Sequence, residues 1–391
     1  MDKRTAVLTL LFATALSFRA EGQAGSEAAA GSISTEVPAY RVTFERRDPV
    51  PGVTASGAIK LPFVCTTDGT VFVSFLNDTV PAGVGLPGPP PVLPPLRLVS
   101  FSTTGKGQTF DLAQVNDLYI SSELDHYVGE SEVVFLVRAA REYKPQKKTY
   151  RIKGGGQGEY TSNAVEQRQY ILIYGRDGTY RKTIEAEDLP LRIENLGVFP
   201  SGTFLAFGYD AKDESPRLAT LKEDGTLLMP LEFKKGDVPE SMIGKAGGAR
   251  PGVIAPAQFV PDGRSIIIVQ KESTFPLLEV SEGGALEAIH PKLSRNSSIK
   301  ALIPSDRNLY AIVAQPGADS ASKETIYEVS REDGNVLRRF ELADGRRPSQ
   351  IACIHDQKFL SLDHGEGKII PLVGSAEPAD IASQQKTGSK N

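Results

Sequence analysis

A chain of 391 residues with 44 lysines and arginines against 48 aspartates and glutamates carries a formal charge of −4, which argues against general nucleic-acid binding. Tryptophan is absent and histidine is scarce, while 37 glycines and 27 prolines suit a fold of many short strands joined by many turns.

The chain opens on what reads as a targeting signal, residues 1–24. Lys3 and Arg4 supply a positive start, Ala6 to Phe18 is apolar or small throughout, and Gly22-Gln23-Ala24 offers small residues for cleavage. An apolar core of about 13 residues is too short to span a bilayer and fits a cleaved secretory signal, the alternative being an N-terminal membrane anchor. No cysteine sits near the cleavage site, which disfavours a lipoprotein anchor, and no later segment is long and apolar enough to cross a membrane. The expectation is a soluble, monomeric product outside the cytoplasm, secreted or periplasmic. Residues 25–35 read as a linker and 36–374 as one large repeat architecture.

Tyr40-Arg41-Val42-Thr43-Phe44-Glu45-Arg46 alternates apolar and polar residues, the mark of a half-buried strand. A recurring phrase follows: an apolar run, a tight turn built on glycine, and a second apolar run. It occurs at Val64 to Phe72, Phe199 to Phe207 and Val260 to Ile268, and more loosely around Pro304-Ser305-Asp306-Arg307 and His355-Asp356-Gln357. A period of about 45–60 residues built only from strands predicts an all-β fold, a β-propeller. A second family of turns, Arg176-Asp177-Gly178, Glu223-Asp224-Gly225, Glu282-Gly283-Gly284 and Glu332-Asp333-Gly334, marks a later hairpin in each unit.

These signals divide the chain into six blades, beginning near Ser56, Leu118, Ile193, Pro256, Ile299 and Pro348; seven is the alternative. The last unit, Pro348 to Gly374, has three strands, so the strand Tyr40 to Arg46 is expected to complete it and to close the ring. Residues 375–391 are small and polar and predict a disordered tail. Cys65 and Cys353 share one register of the repeat, in the first and last units. A disulfide between them would lock the ring; two buried free thiols is the other reading.

Both hairpin turns in each unit are short. The long connections run from Asn77 to Pro95, Arg141 to Gln167, Asp210 to Pro216, Lys234 to Ala255, His290 to Ser298 and Gln315 to Lys323. In an up-and-down blade these emerge on one face, where loops on a rigid scaffold usually carry binding. Pro81 to Pro95 reads as a stiff, extended loop across the scaffold rather than as a docking segment for an aromatic groove. Candidate partner-binding residues on this face are Arg141, Tyr143, Lys147, Lys148, Lys234, Lys235, Arg250, Arg346 and Arg347. Arg141 to Lys153 interleaves Lys144, Lys147, Lys148, Arg151 and Lys153 with Tyr143 and Tyr150, a composition that suits an anionic polymer, nucleic acid or acidic glycan, although a solvated hairpin is the simpler reading.

Chemistry-bearing motifs are missing. Gly154-Gly155-Gly156-Gln157-Gly158 lacks the Lys-Ser/Thr ending of a phosphate loop, and there is no Gly-x-Ser-x-Gly elbow. His355-Asp356 and Asp363-His364 fall at opposite ends of one strand, about 20 Å apart, too far to share an ion. The polar residues read on inner strands are Glu194, Asn195, Gln258 and Gln350. No cofactor is expected, with a divalent metal in the channel left open.

Phe259-Val260-Pro261-Asp262-Gly263-Arg264 and Phe199-Pro200-Ser201-Gly202 resemble the repeats of bacterial exported six-bladed propellers of the TolB and NHL type. Each match covers about fifteen residues, and both the Asn-His-Leu signature and the Trp-Asp of WD40 blades are missing. The resemblance implies a fold and an exported scaffold, and carries over no catalytic residues. The sequence therefore predicts a non-catalytic propeller binding a protein, peptide or glycan at its loop-rich face, with no nucleic acid. The alternative is a metal-dependent propeller lyase or lactonase-like hydrolase acting at the channel mouth.

Overall fold

The computed structural model describes residues 37–379 except 53–57, 67, 77–95, 102–106, 111, 113–117, 142–145, 153, 163–167, 187–190, 211, 225, 232–255, 271–276, 295–296, 306, 316–322, 344, 356 and 366. The expected signal and linker, and the tail beyond 379, lie outside these residues.

The fold is all-β and propeller-like, and four blades stand as separate four-stranded sheets. The first holds β2 (Ala58–Cys65), β3 (Val71–Leu76), β4 (Leu96–Phe101) and β5 (Gln108–Phe110). The second holds β6 (Tyr119–Val128), β7 (Glu132–Ala140), β10 (Arg168–Gly175) and β11 (Tyr180–Glu185), with a hairpin of β8 (Gln146–Ile152) and β9 (Gly156–Ser162) inserted midway. The third runs through β12 (Leu191–Val198), β13 (Phe204–Asp210), β14 (Pro216–Leu221) and β15 (Leu227–Pro230). The fourth runs through β16 (Pro256–Asp262), β17 (Ser265–Gln270), β18 (Leu277–Ser281) and β19 (Leu286–Ile289).

A fifth sheet has eight strands. It joins β20 (Ser298–Pro304), β21 (Asn308–Gln315), β22 (Lys323–Ser330) and β23 (Val336–Leu342) to β24 (Ile351–His355), β25 (Lys358–Gly365) and β26 (Lys368–Pro378). The link is β1 (Ala39–Arg46), which pairs parallel with β23 (Ala39↔Arg339 to Val42↔Leu342) and antiparallel with β26 (Tyr40↔Pro378 to Arg46↔Leu372). The N-terminal strand thus covers two sheet edges at once. It also carries β26 beyond the expected end of the repeat. Ser375 to Pro378, which composition assigned to a disordered tail, pair with Thr43 to Tyr40. Their small, polar side chains lie at a sheet margin where little apolar area is needed.

Apolar runs in the central strands follow from burial on both faces. Val133 to Val137 of β7 and Phe204 to Ala206 of β13 are fully covered because a neighbouring sheet packs on each side. The buried clusters lie in the seams and lead around a ring. Phe72 and Leu98 share a cluster with Phe135 and Val137, and Leu136 and Ile173 share one with Phe204, Ala206 and Ile266. Ile267 and Val269 then share a cluster with Leu309 and Ala311, Ile312 with Phe359, and Leu360 and Ile369 with Val71 and Val73. At that last seam Cys65 and Cys353 are joined as a disulfide, with Cα atoms 5.2 Å apart.

Candidate functional site

Strand direction sorts the connections into two ends. At one end are tight turns: Gly69 N–H donates to the Thr66 carbonyl, Gly202 to Phe199, Gly178 to Gly175 and Gly334 to Ser330. At the other end the chain leaves at Leu76, Ala140, Pro230 and Gln315 and returns at Leu96, Arg168, Pro256 and Lys323. The connection from His290 departs from the expected placement. Lys292 N–H donates to the Gly334 carbonyl, so this segment reaches a tight turn rather than staying with the long loops.

Two of the candidate arginines sit at the loop-rich end but in separate places, each matched by a carboxylate. Arg141 Nε lies 3.6 Å from Glu185 Oε2, and its guanidinium stands 5.5 Å from the centre of the Tyr170 ring. Arg168 contributes a second ion pair to the same Glu185, at 2.5 Å. Arg346 donates to both oxygens of Asp363, at 2.8 and 3.2 Å, and lies over Phe44. The positive charge of both candidate arginines is therefore matched within the fold. Arg347 is exposed, and its backbone N–H donates to Gln350 Oε1. Lys147 and Lys148 fall on β8, in the inserted hairpin. Tyr143, Lys234, Lys235 and Arg250 lie outside the described residues.

A second polar centre lies on the inner strands. Pairing shifts by a bulge in each of them, and four resume at one level: Asp125 opposite Leu136, Asn195 opposite Phe207, Gln258 opposite Val269 and Ala301 opposite Ile312. A bulge re-aims the residue that follows it. Asp125 accepts hydrogen bonds from Leu196 N–H at 3.1 Å and from Asn195 Nδ2 at 3.2 Å, tying β6 to β12. Burial pushes its carboxyl above the usual range against the opposing pull of His126 and these donors.

Next to it, His126 Nδ1 lies 3.0 Å from Glu123 Oε1 and its Nε2 lies 3.2 Å from Ser74 Oγ on β3. With the proton on Nδ1, the ring donates to Glu123 and accepts from the serine hydroxyl. That is the order of groups by which a histidine draws a proton from a serine. Ser74 is only 6% exposed, so the same chain also serves as a polar tie between the first and second sheets. Two buried oxygens, Glu123 Oε2 and Gln258 Oε1, find no hydrogen-bond donor among the described residues.

Sequence reasoning reached Asn195 and Gln258 but missed Glu123, Asp125 and His126. Two bulges in β6 destroy the period-2 pattern that would have assigned its faces. The available signal was a run of polar residues, Ser121 to Glu123 and Asp125-His126, inside a strand flanked by buried apolar ones. Glu194 instead occupies the bulge itself and pairs with Arg192 at 3.9 Å, while Gln350 caps a short 3-10 turn. Among the described residues no group of three or more histidines, cysteines, aspartates or glutamates is arranged to hold a metal ion, and no helix is long and apolar enough to cross a membrane.

No protein-family model matches the chain, and no curated protein matches it. Among solved structures, it is similar to a subtype N10 neuraminidase-like protein of A/little yellow-shouldered bat/Guatemala. That likeness has 10% identity and a TM-score of 0.38, covering 86% of this chain and 100% of the other. A protein of unknown function from Bacteroides caccae is similar at 11% identity and a TM-score of 0.29, over 62% of this chain and 89% of the other.

Proposed function

We propose that the protein is an exported, six-bladed β-propeller that binds a protein, peptide or glycan partner at its loop-rich end without catalysing a reaction. The six-blade count treats the eight-stranded sheet as two blades, β20 to β23 and β24 to β26 with β1. Export rests on the apolar N-terminal segment and accords with the Cys65–Cys353 disulfide, since such bonds persist in oxidising compartments. The observation that carries the binding reading is the sorting of connections: tight turns at one end, and at the other the departures at Leu76, Ala140, Pro230 and Gln315.

Site-specific photo-crosslinking tests it. A crosslinking residue at Arg347 or Thr149 samples the loop-rich end, and one at Asp224 or Gly263 samples the tight-turn end. Partner adducts from the first pair alone support the reading. Adducts from the turn end alone reverse it. N-terminal sequencing of the mature protein tests export directly.

A second reading is favoured by one observation, the Ser74–His126–Glu123 chain of hydrogen bonds. It makes the inner wall an acyl-transfer centre, with Ser74 as nucleophile and His126 as base, in place of a metal-dependent site. Covalent labelling of Ser74 by a fluorophosphonate, abolished by His126→Gln, would establish it; an unlabelled protein leaves the chain as a structural tie.

A further inference from the structure

The inserted hairpin stands apart from the rest of the fold. Strands β8 and β9 pair only with each other, from Gln146↔Ser162 to Ile152↔Gly156, and form a sheet of their own. Along them Thr149, Arg151, Gln157 and Glu159 are exposed. A lone two-stranded hairpin is at best marginally stable in water, so a fold gains little by carrying one unless something else covers it. No other connection among the described residues forms strands of its own.

Its composition says what that covering is. Residues 146–162 contain Lys147, Lys148, Arg151 and Lys153 against the single acid Glu159, on a chain whose overall charge is −4. Register sets Lys148 opposite Tyr160, Tyr150 opposite Gly158 and Arg151 opposite Gln157, so β8 strings cations and a tyrosine along a strand whose partner adds a second tyrosine.

We propose that this hairpin is an arm that docks an anionic polysaccharide, an inference that rests on the reading of the loop-rich end as the binding end. Lysine heads act as mobile point charges for carboxylate or sulfate groups, and tyrosines offer flat, amphipathic faces to sugar rings. Three features select this partner. The tip, Gly154 and Gly155, carries no apolar side chain to enter a lipid interface. Duplex nucleic acid places a charge about every 1.7 Å, a density that the acidic body of the protein repels along most of its length. A polysaccharide charged once per sugar or two is bound by a local cluster without that penalty.

The experiment uses the full chain in affinity electrophoresis through gels containing polygalacturonate, heparin or neutral dextran, at low and high salt. The first two gels separate carboxylate from sulfate as the recognised group. The expected result is retardation by one polyanion, weakened by salt and reduced roughly tenfold or more by combined Lys147→Ala, Lys148→Ala and Arg151→Ala. Tyr150→Ala with Tyr160→Ala should weaken it without changing its salt dependence. Unchanged thermal unfolding shows that these variants fold, as expected for an arm outside the core. Retardation that survives the triple substitution overturns the arm but leaves the loop-rich end as the binding end. Equal retardation by neutral dextran, tighter binding to duplex DNA, or no retardation by either polyanion overturns the polysaccharide. Crosslinking from the two ends reports separately on the underlying reading.

Discussion

Arg331 and Asp262 form a two-pronged ion pair across a seam, with Arg331 Nη1 bonded to Asp262 Oδ2 and Nη2 bonded to Oδ1 at 2.7 Å. Nη2 also donates to the Ser305 carbonyl at 2.9 Å. Arg176 repeats the arrangement elsewhere in the ring: it reaches Asp68 and Thr66 of the preceding sheet and the Glu130 carbonyl of its own. In both cases an arginine beginning the third-to-fourth-strand turn grips two first-to-second-strand turns. The tight-turn end is thereby clamped, a rigid base for loops at the opposite end.

Removing either partner of the Arg331–Asp262 pair should therefore cost more than an exposed ion pair would. The side chains are 21% and 12% exposed, so Arg331→Ala leaves a largely buried carboxylate without its counter-charge. The expected loss is about 3 kcal/mol in denaturant unfolding. Arg331→Lys should recover only part of it, because a lysine cannot span both oxygens and the Ser305 carbonyl. A loss below about 1 kcal/mol would show that the clamp contributes no more than a surface pair.

Asp68 makes the other clamp sensitive to acid. Burial pushes its carboxyl up, but hydrogen bonds from Thr66, Arg176 and Thr70 outweigh this and hold it well below the usual carboxylate range. A carboxyl whose folded pKa is depressed contributes stability above its unfolded pKa, about 3.9, and loses it as pH falls through the folded value. Melting temperature followed from pH 7 downward should fall on the acid side, and Asp68→Asn should flatten that fall while lowering the neutral plateau. Asp125 acts in the opposite sense: its raised carboxyl gains protons on folding, so its contribution grows as pH falls through the folded value.

The Cys65–Cys353 disulfide closes a loop of 288 residues. In the chain-entropy account this restricts the unfolded chain by about 6 kcal/mol at 25 °C. Reduction under native conditions, or Cys65→Ser with Cys353→Ser, should lower the melting temperature while leaving the β-sheet circular dichroism intact. The β1–β26 pairing still holds the ends together in the folded state. Loss of the folded spectrum on reduction would mean that strand pairing alone does not close the ring.

The same pair shows how much of the molecule its sequence disclosed. Cys65, opposite Val71, and Cys353, opposite Leu360, stand one position apart rather than in the single register expected, in a repeat whose turn glycines are legible because positive φ is theirs almost alone: Gly69, Gly202 and Gly263 have φ of 77°, 87° and 57°. Strand order and the edge pairing of Tyr40 to Arg46 followed from that periodicity. The inner-wall centre did not, since Asp125 and His126 sit among bulges, and a bulge is a local change of register with no fixed residue type. Nor did the ion-pair partners of Arg141 and Arg346, which lie on strands distant in sequence. The parallel pairing of β1 with β23 was equally silent, because an exposed strand edge carries no mark of which neighbour covers it.

Gly334 and Gly263 offer a comparison in which one backbone conformation meets two environments. Both have positive φ, 69° and 57°, so an alanine at either position pays the left-handed penalty of about 1–2 kcal/mol. At Gly263 nothing lies within 4 Å of the added Cβ. At Gly334 that carbon would overlap the His290 carbonyl, in the segment that Lys292 fastens to the same turn through its N–H at 2.8 Å and its Nζ to Asn335 Oδ1 at 2.7 Å. Gly334→Ala must therefore displace backbone as well as strain its own. It should lower the melting temperature clearly more than Gly263→Ala, and protease cleavage should rise within residues 290–297. Equal shifts for the two substitutions would mean that this connection yields freely and does not fasten the fourth sheet to its neighbour.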